Sequence, residues 1–320
     1  MRVLLPSSVL TCLPSQLSVL PKSAPLHDVH HCKMPFKRIE RRTLSMRSSA
    51  PSNDNNASSL MKNLWQHFGN TNPDALKIYA LFDNQTVHND HIAFRTLQNA
   101  HLGKEVIAQN FIDLGYAIKG EYHFADKHLD AIHLEQADQP RVFISELRLQ
   151  DFNEEVQNIL QPVAEKCAND PIVKTQQLLT SGCRWPIHQE HYLKLRAASE
   201  YAAWFYVFGH TPNHFTINVN KLKDFNSLAD VNAFLKKHKV VLNTVGGEIK
   251  SAPGKLDQSS TVADKIDVTF SNERTVQVPF TFVEFAYRHS LKNGTLFNGF
   301  TEDNADKVFS STDSGMVQNQ

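Results

Sequence analysis

Three stretches decide how this chain is read: NDHIAFRT (residues 89–96), NHFTINVN (213–220) and FVEFAYR (282–288). Each is rich in the β-branched and aromatic residues that strands favour, among them Ile92, Phe94, Phe215, Ile217, Val219, Phe282, Val283 and Phe285. Strand side chains alternate with period two, so His91, Ala93 and Arg95 share one face, His214 and Thr216 another, and Glu284, Ala286 and Arg288 a third. The reverse faces are apolar and suited to packing on helices. A histidine or carboxylate with small alternate neighbours and a greasy reverse face points into a lined cavity. Two histidines and one carboxylate form the facial triad that holds non-haem Fe(II) and leaves positions open for substrate and O₂.

Outward from these strands, one supersecondary order occurs twice. The first copy reads strand 90–97, helix 103–114, and strands near 116–124, 129–135 and 141–148. The second reads strand 213–219, helix 226–238, and strands near 240–249, 264–271 and 279–288. Both are βαβββ, and aligning them places His91 on His214 and Glu146 near Glu284. The expected fold is α+β: two such modules forming a curved sheet around a metal cavity, with a helical insertion between them. The boundaries are a leader at 1–57 and a catalytic domain at 58–315. Within that domain, module one spans about 88–150, the insertion 151–210, module two 211–290 and a C-terminal lid 291–315, where Phe297 and Phe300 could close over the cavity. The clearest insertion helices are 151–167 and 190–208, and Asn72-Pro73 reads as the cap and first residue of an earlier helix.

Composition narrows the function. The 320 residues carry 33 basic and 33 acidic side chains, but residues 1–60 hold eight Lys/Arg against three acids, which leaves the remainder acidic. An acidic body lacks the footprint of a nucleic-acid binder. No apolar run approaches the roughly 20 residues that span a bilayer, so neither nucleic acid nor membrane is an expected partner. Four cysteines at 12, 32, 167 and 183 form no CxxC pair and no disulfide framework. The Ser-, Pro- and Arg-rich leader, ending in SSAPSNDNNASS (48–59), has the composition of an organelle transit peptide. The absence of an Arg-rich amphipathic stripe favours plastid over mitochondrion.

The segments HNDHIAFRT, GHTPNHFTINVN, LDQSSTVADKIDVTFS and FVEFAYR together resemble the family of 2-oxoadipate dioxygenase/decarboxylases, which is related to the vicinal oxygen chelate enzymes. The resemblance extends over residues 60–312. It implies an Fe(II) cofactor on His91, His214 and Glu284, and Arg95 at the position that anchors a substrate carboxylate. It also implies conversion of 2-oxoadipate and O₂ into 2-hydroxyglutarate and CO₂, a step of lysine breakdown. A 2-oxo acid chelates Fe(II) through its carboxylate and keto oxygens and leaves one position for O₂.

Other assignments stay open at this level. Arg288 shares the phase of Glu284 and is either a substrate contact or a structural pair. Gln258, Ser259 and Ser260 sit in a turn-like segment before a strand and either hydrogen-bond a bound acid, Ser260 above all, or form a plain loop. Glu146 as a fourth ligand would favour an isomerase or lyase of the vicinal oxygen chelate type that needs no O₂.

Overall fold

The computed structural model describes residues 56–82 and 84–312. Residues 1–55 of the expected leader lie outside the described residues. Asn56 caps the first helix, accepting from Ser59 N–H at 2.9 Å. That helix, α1 (Ala57–Thr71), is followed by α2 (Pro73–Ala80), which starts as the Asn72-Pro73 signal dictates, with Asn72 Oδ1 accepting from Ala75 N–H.

Module one then runs β1 (Asn89–Leu97), α3 (Lys104–Ile112), β2 (Ala117–Phe124), β3 (Leu129–Glu135) and β4 (Arg141–Leu147). The insertion holds α4 (Glu154–Ala168), α5 (Gln189–Ala198) and α6 (Glu200–Phe208). Module two has β5 (Pro212–Asn218), α7 (Leu228–Lys237), β6 (Lys250–Ala252), β7 (Leu256–Ser260), β8 (Lys265–Thr269), β9 (Thr275–Pro279) and β10 (Phe282–Arg288), and α8 (Glu302–Phe309) closes the described chain.

Eight strands form one curled sheet in the order β2-β3-β4-β1-β5-β10-β7-β6. The two modules abut through the antiparallel pair β1–β5, while β1–β4 and β5–β10 are parallel. One face of the sheet packs on helices. Phe215 of β5 meets Trp65 and Phe68 of α1 with ring centroids 5.2 and 5.0 Å away, and Phe94 of β1 meets Phe111 of α3 at 5.8 Å. The other face lines a cavity.

Three local expectations are corrected. The stretch 240–249 is no strand. Its β-branched residues promise one, but Gly246 and Gly247 adopt positive φ (67° and 97°), and the segment meets the end of β7 and the residues after it through an isolated bridge at Leu242–Thr261 and backbone bonds from Asn243 N–H to the Ser260 carbonyl and from Val262 N–H to the Val241 carbonyl. The sheet strands are instead β6 and β7, where LDQSS had been read as turn-like. Gln258, Ser259 and Ser260 are buried and bond across the core, with Gln258 Nε2 donating to Glu284 Oε1 and Ser259 Oγ to Asn232 Oδ1, both at 2.7 Å. The strand foreseen at 264–271 exists as β8, but it pairs with β9 in a separate hairpin. Finally, the helix foreseen at 190–208 breaks at Ser199, whose extended backbone (φ −161°) lets its hydroxyl cap α6 by accepting from Ala202 N–H.

Helix α8 ties the two edge strands together. Glu302 Oε1 accepts from His123 N–H on β2, and the fully buried Asn304 Nδ2 donates to the carbonyls of Lys250 (3.0 Å) and Leu256 (2.9 Å) on β6 and β7. Replacing Asn304 by Ala leaves two buried carbonyls without that donor, so Asn304→Ala is expected to cost about 1–3 kcal/mol. A urea midpoint equal to that of the unaltered chain would show that α8 does not clamp the sheet edges.

Candidate metal centre

The central strands bring the three motif residues together. The β1–β5 pairing sets Ala93 opposite His214 and His91 opposite Thr216, and the β5–β10 pairing sets Glu284 beside Thr216. His91 Nε2 lies 3.4 Å from Glu284 Oε1, and His214 Nε2 lies 3.4 Å from Glu284 Oε2. All three donor atoms fall within 4.8 Å of one another, and all three residues are buried. Two imidazole nitrogens and one carboxylate converging at this spacing can hold a single divalent ion.

Both rings are oriented from behind by the residue just before them. His91 Nδ1 lies 2.9 Å from Asp90 Oδ1, and His214 Nδ1 lies 3.0 Å from Asn213 Oδ1. An ionised carboxylate only accepts, so His91 donates to Asp90 from Nδ1 and aims Nε2 at the centre, where Thr216 Oγ1 also lies 3.0 Å from it. Burial alone would push the Asp90 carboxyl up, but the Arg288 guanidinium and the bond to His91 outweigh it and hold the group well below the usual carboxylate range. Burial, aided by His91 and Arg95, holds His214 well below the ordinary imidazole value, and burial raises Glu284 against the opposing pull of His91 and Gln258. A neutral His214 is the form a metal requires.

Glu284 Oε1 accepts from Gln258 Nε2 at 2.7 Å, whereas Glu284 Oε2 is buried with no hydrogen-bond partner among the described residues. An orphaned, desolvated carboxylate oxygen beside two imidazole nitrogens fits a cation.

The cavity, about 410 Å³ including its open mouth, has Phe143, Phe282, Phe300 and Phe309 among its walls. Phe300 lines the cavity and meets His91 edge-on at 4.8 Å, while Phe297 is not among the lining residues. Arg95 reaches the same cavity. Its Nη1 donates to Glu200 (3.1 Å) and its Nη2 to Thr312 Oγ1 (2.9 Å), and the guanidinium lies over Tyr201 and Trp204. Arg95 Nε, buried, has no acceptor among the described residues.

Two residues singled out from sequence sit elsewhere. Arg288 does not line the cavity; it is buried behind His91, where both oxygens of Asp90 and the carbonyls of Phe297 and Gly299 take up its donors. Ser260 shares the cavity-side phase of Gln258, but its hydroxyl pairs with Ser311 Oγ at 2.7 Å and it forms no part of the lining.

Glu146 faces away from the centre. Its carboxylate accepts from Lys104 N–H (2.8 Å) and Lys104 Nζ (2.7 Å), serving as the cap that Gly103 cannot supply to α3. The register gives the reason. His91 pairs with Arg141 as His214 pairs with Phe282, so the position matching Glu284 is Phe143, two residues on, and Glu146 has the opposite parity.

Sequence reasoning missed Asp90 and Asn213 as the holders of the histidines. Period two assigns each to the reverse face, but the β1–β5 ladder shifts register between Asn89 and His91, and such an irregularity frees Asp90 to turn beside His91. The available signal was that both histidines follow Asp or Asn.

A family model described as 2-oxoadipate dioxygenase/decarboxylase matches residues 60–311. The 2-oxoadipate dioxygenase/decarboxylase, chloroplastic, of Arabidopsis thaliana is 32% identical over 274 residues, 76% of this chain and 74% of that protein. The crystal structure of the hydroxyglutarate synthase in complex with 2-oxoadipate from Oryza sativa matches with a TM-score of 0.76 at 31% identity, covering 82% of this chain and 93% of that one. A crystal structure of a glyoxalase superfamily protein from Ralstonia eutropha JMP134 shares the fold alone, with a TM-score of 0.60 at 17% identity over 76% of this chain and 84% of that one.

Acid should destabilise the metal-free protein in a defined window. Burial lowers His210 from 6.5 to about 4 and depresses His214 as well. A depressed histidine contributes stability that is complete above its unfolded value, near pH 6.5, and is lost as pH falls towards the folded one. Thermal midpoints should therefore drop between about pH 6.5 and 4, and less steeply in His210→Gln. Equal slopes for the two proteins would remove His210 from the account.

Proposed function

Because the chain belongs to the 2-oxoadipate dioxygenase/decarboxylase family, we propose that it converts 2-oxoadipate and O₂ into 2-hydroxyglutarate and CO₂ at Fe(II) held by His91, His214 and Glu284. The observation that carries the reading is the convergence of a two-histidine, one-carboxylate set, with Glu284 Oε2 unpartnered, on a cavity that also receives Arg95. Bound there, Fe(II) supplies the open positions at which a 2-oxo acid chelates and O₂ is activated beside it.

The chain's own residues do the rest. Arg95 binds a substrate carboxylate, offering its unpartnered Nε–H while Glu200 and Thr312 hold the other arms of the fork. Phe143, Phe282 and Phe300 keep the walls apolar and exclude water from the reacting end. Gln258 fixes the Glu284 carboxylate by donating to its Oε1. The rival isomerase or lyase reading loses its fourth ligand, because Glu146 caps a helix on the far side of the sheet and Phe143 stands at the matching position.

We further propose that residues 58–315 make up one catalytic domain and that residues 1–57 direct it to plastids, where it acts in lysine breakdown. The leader's composition and the chloroplastic designation of the Arabidopsis relative support this. Fluorescent fusions of residues 1–57 should accumulate in plastids; accumulation in mitochondria would select the other organelle.

The reaction is tested with an oxygen electrode. Fe(II)-loaded protein should consume O₂ in proportion to 2-oxoadipate and release CO₂, and undiminished anaerobic turnover would refute the oxygenase assignment. His91→Ala, His214→Ala and Glu284→Ala should each lose bound iron while staying folded, because the site is built on a rigid sheet. Arg95→Lys should keep iron but raise KM about 10- to 100-fold, since the charge-assisted hydrogen bond from Nε–H, about 1.5–3 kcal/mol, is lost when an ammonium replaces the guanidinium held by Glu200 and Thr312. Normal KM in that variant would move the anchor elsewhere.

A further inference from the structure

Asp90 and Asn213 occupy matching positions in the two modules, each directly before a histidine, yet only Asp90 carries a charge. Its carboxylate is clamped. Arg288 Nη2 donates to Oδ1 and Arg288 Nε to Oδ2, both at 2.7 Å, Arg141 Nη1 lies 3.5 Å from Oδ2, and Oδ1 also receives His91 Nδ1 at 2.9 Å. Arg288 is fixed in turn: its Nη1 donates to the carbonyls of Phe297 (3.1 Å) and Gly299 (2.7 Å), and its backbone N–H donates to Asn220 Oδ1 at 2.8 Å. Asp90 and Arg288 are each about 1% exposed. At the other histidine the partner is a neutral amide, and Asn213 Nδ2 is buried with no acceptor among the described residues.

A buried ion pair made only for stability needs no third member. Replacing such pairs by apolar residues often costs nothing. Here the carboxylate also takes the imidazole N–H of a ligand, the arrangement that fixes a ligating ring and raises its basicity. We propose that Asp90, clamped by Arg288, is a positioning residue that makes His91 the stronger of the two imidazole ligands, with His214, held by an amide, the weaker. Arg288 then serves the centre from behind and not the substrate from within. The inference rests on the ligand set His91, His214 and Glu284 and adds to it an inequality between the two histidines.

Asp90→Asn tests it, because the amide oxygen can still accept from Nδ1–H while the charge is gone. Metal-free full-length protein is titrated with Co(II) against a competing fluorescent chelator, with the visible Co(II) bands recorded as a report on the ligand field. Asp90→Asn should weaken Co(II) binding about 10- to 100-fold and shift the bands while its circular dichroism stays native. Arg288→Lys keeps the charge but cannot clamp both oxygens, so it should fall between the unaltered chain and Asp90→Asn. It also keeps the proposal testable if Asp90→Asn fails to fold. Unchanged affinity and bands in a folded variant of either kind, with only the melting temperature lowered, would overturn the proposal in favour of a structural pair. If the unaltered chain binds no Co(II), or His91→Ala binds it equally well, the ligand assignment fails, and that outcome is distinct from failure of the clamp.

Discussion

The antiparallel pairing of β1 with β5 is the constraint on which the rest depends. It is the seam between the two modules, and its register, Ala93 opposite His214 and His91 opposite Thr216, places one histidine from each module on the same face. A slip by one residue would send a histidine to the helix side, because strand side chains alternate. Phe215, set between those two positions, packs against Trp65 and Phe68, and so the apolar reverse face fixes the register that the polar face uses. Glu284 follows from the parallel neighbour β10, whose own reverse face is anchored by Phe285 against Phe82. The metal geometry is thus set largely by hydrophobic packing on the opposite side of the sheet.

Charge inside this body is held in small closed groups. Asp90 is met by Arg288 and, at 3.5 Å, by Arg141, Arg95 is matched by Glu200, and Lys250, fully buried, donates from Nζ to the Asn243 carbonyl. Burial lowers Lys250 to about 8, although Glu284 pulls it upward. Uncompensated charge would be costly at this depth, since desolvation of an ion amounts to several kcal/mol. Glu284 stands apart from these groups: its carboxylate has neighbours on one oxygen and an open coordination need on the other.

Much of this was legible in the chain and some of it was not, for identifiable reasons. His91, His214 and Glu284 could be read because each lies in a short run whose alternation separates a polar face from an apolar one. The helix at Asn72-Pro73 could be read because its cap chemistry is local. The pair β6–β7 could not, because Gln258, Ser259 and Ser260 look like turn residues until Asn232, Ser311 and Glu284 are brought to them by distant parts of the chain. Val240, Val241 and Leu242 look like a strand, but the Gly246-Gly247 bend leads the chain away. Glu146 was matched to Glu284 by motif spacing, and only the ladder register shows that Phe143 is the true counterpart. Asp90 was hidden by an irregular register that period-two reasoning does not anticipate.

The order of these parts along the chain carries a consequence for biosynthesis. All three candidate ligands lie at or before residue 284, whereas Phe300, Val308, Phe309 and Thr312 supply the wall over His91 and the hydroxyl that holds Arg95. A polypeptide leaves a ribosome or an import channel N-terminus first, and segments fold as they emerge. Until residue 300 and those after it have emerged, the chain already owns its candidate metal donors but lacks the roof that shields them. Metal capture can therefore precede completion of the cavity, and the delivery of the ion and the sealing of the site are separable events in the life of the molecule.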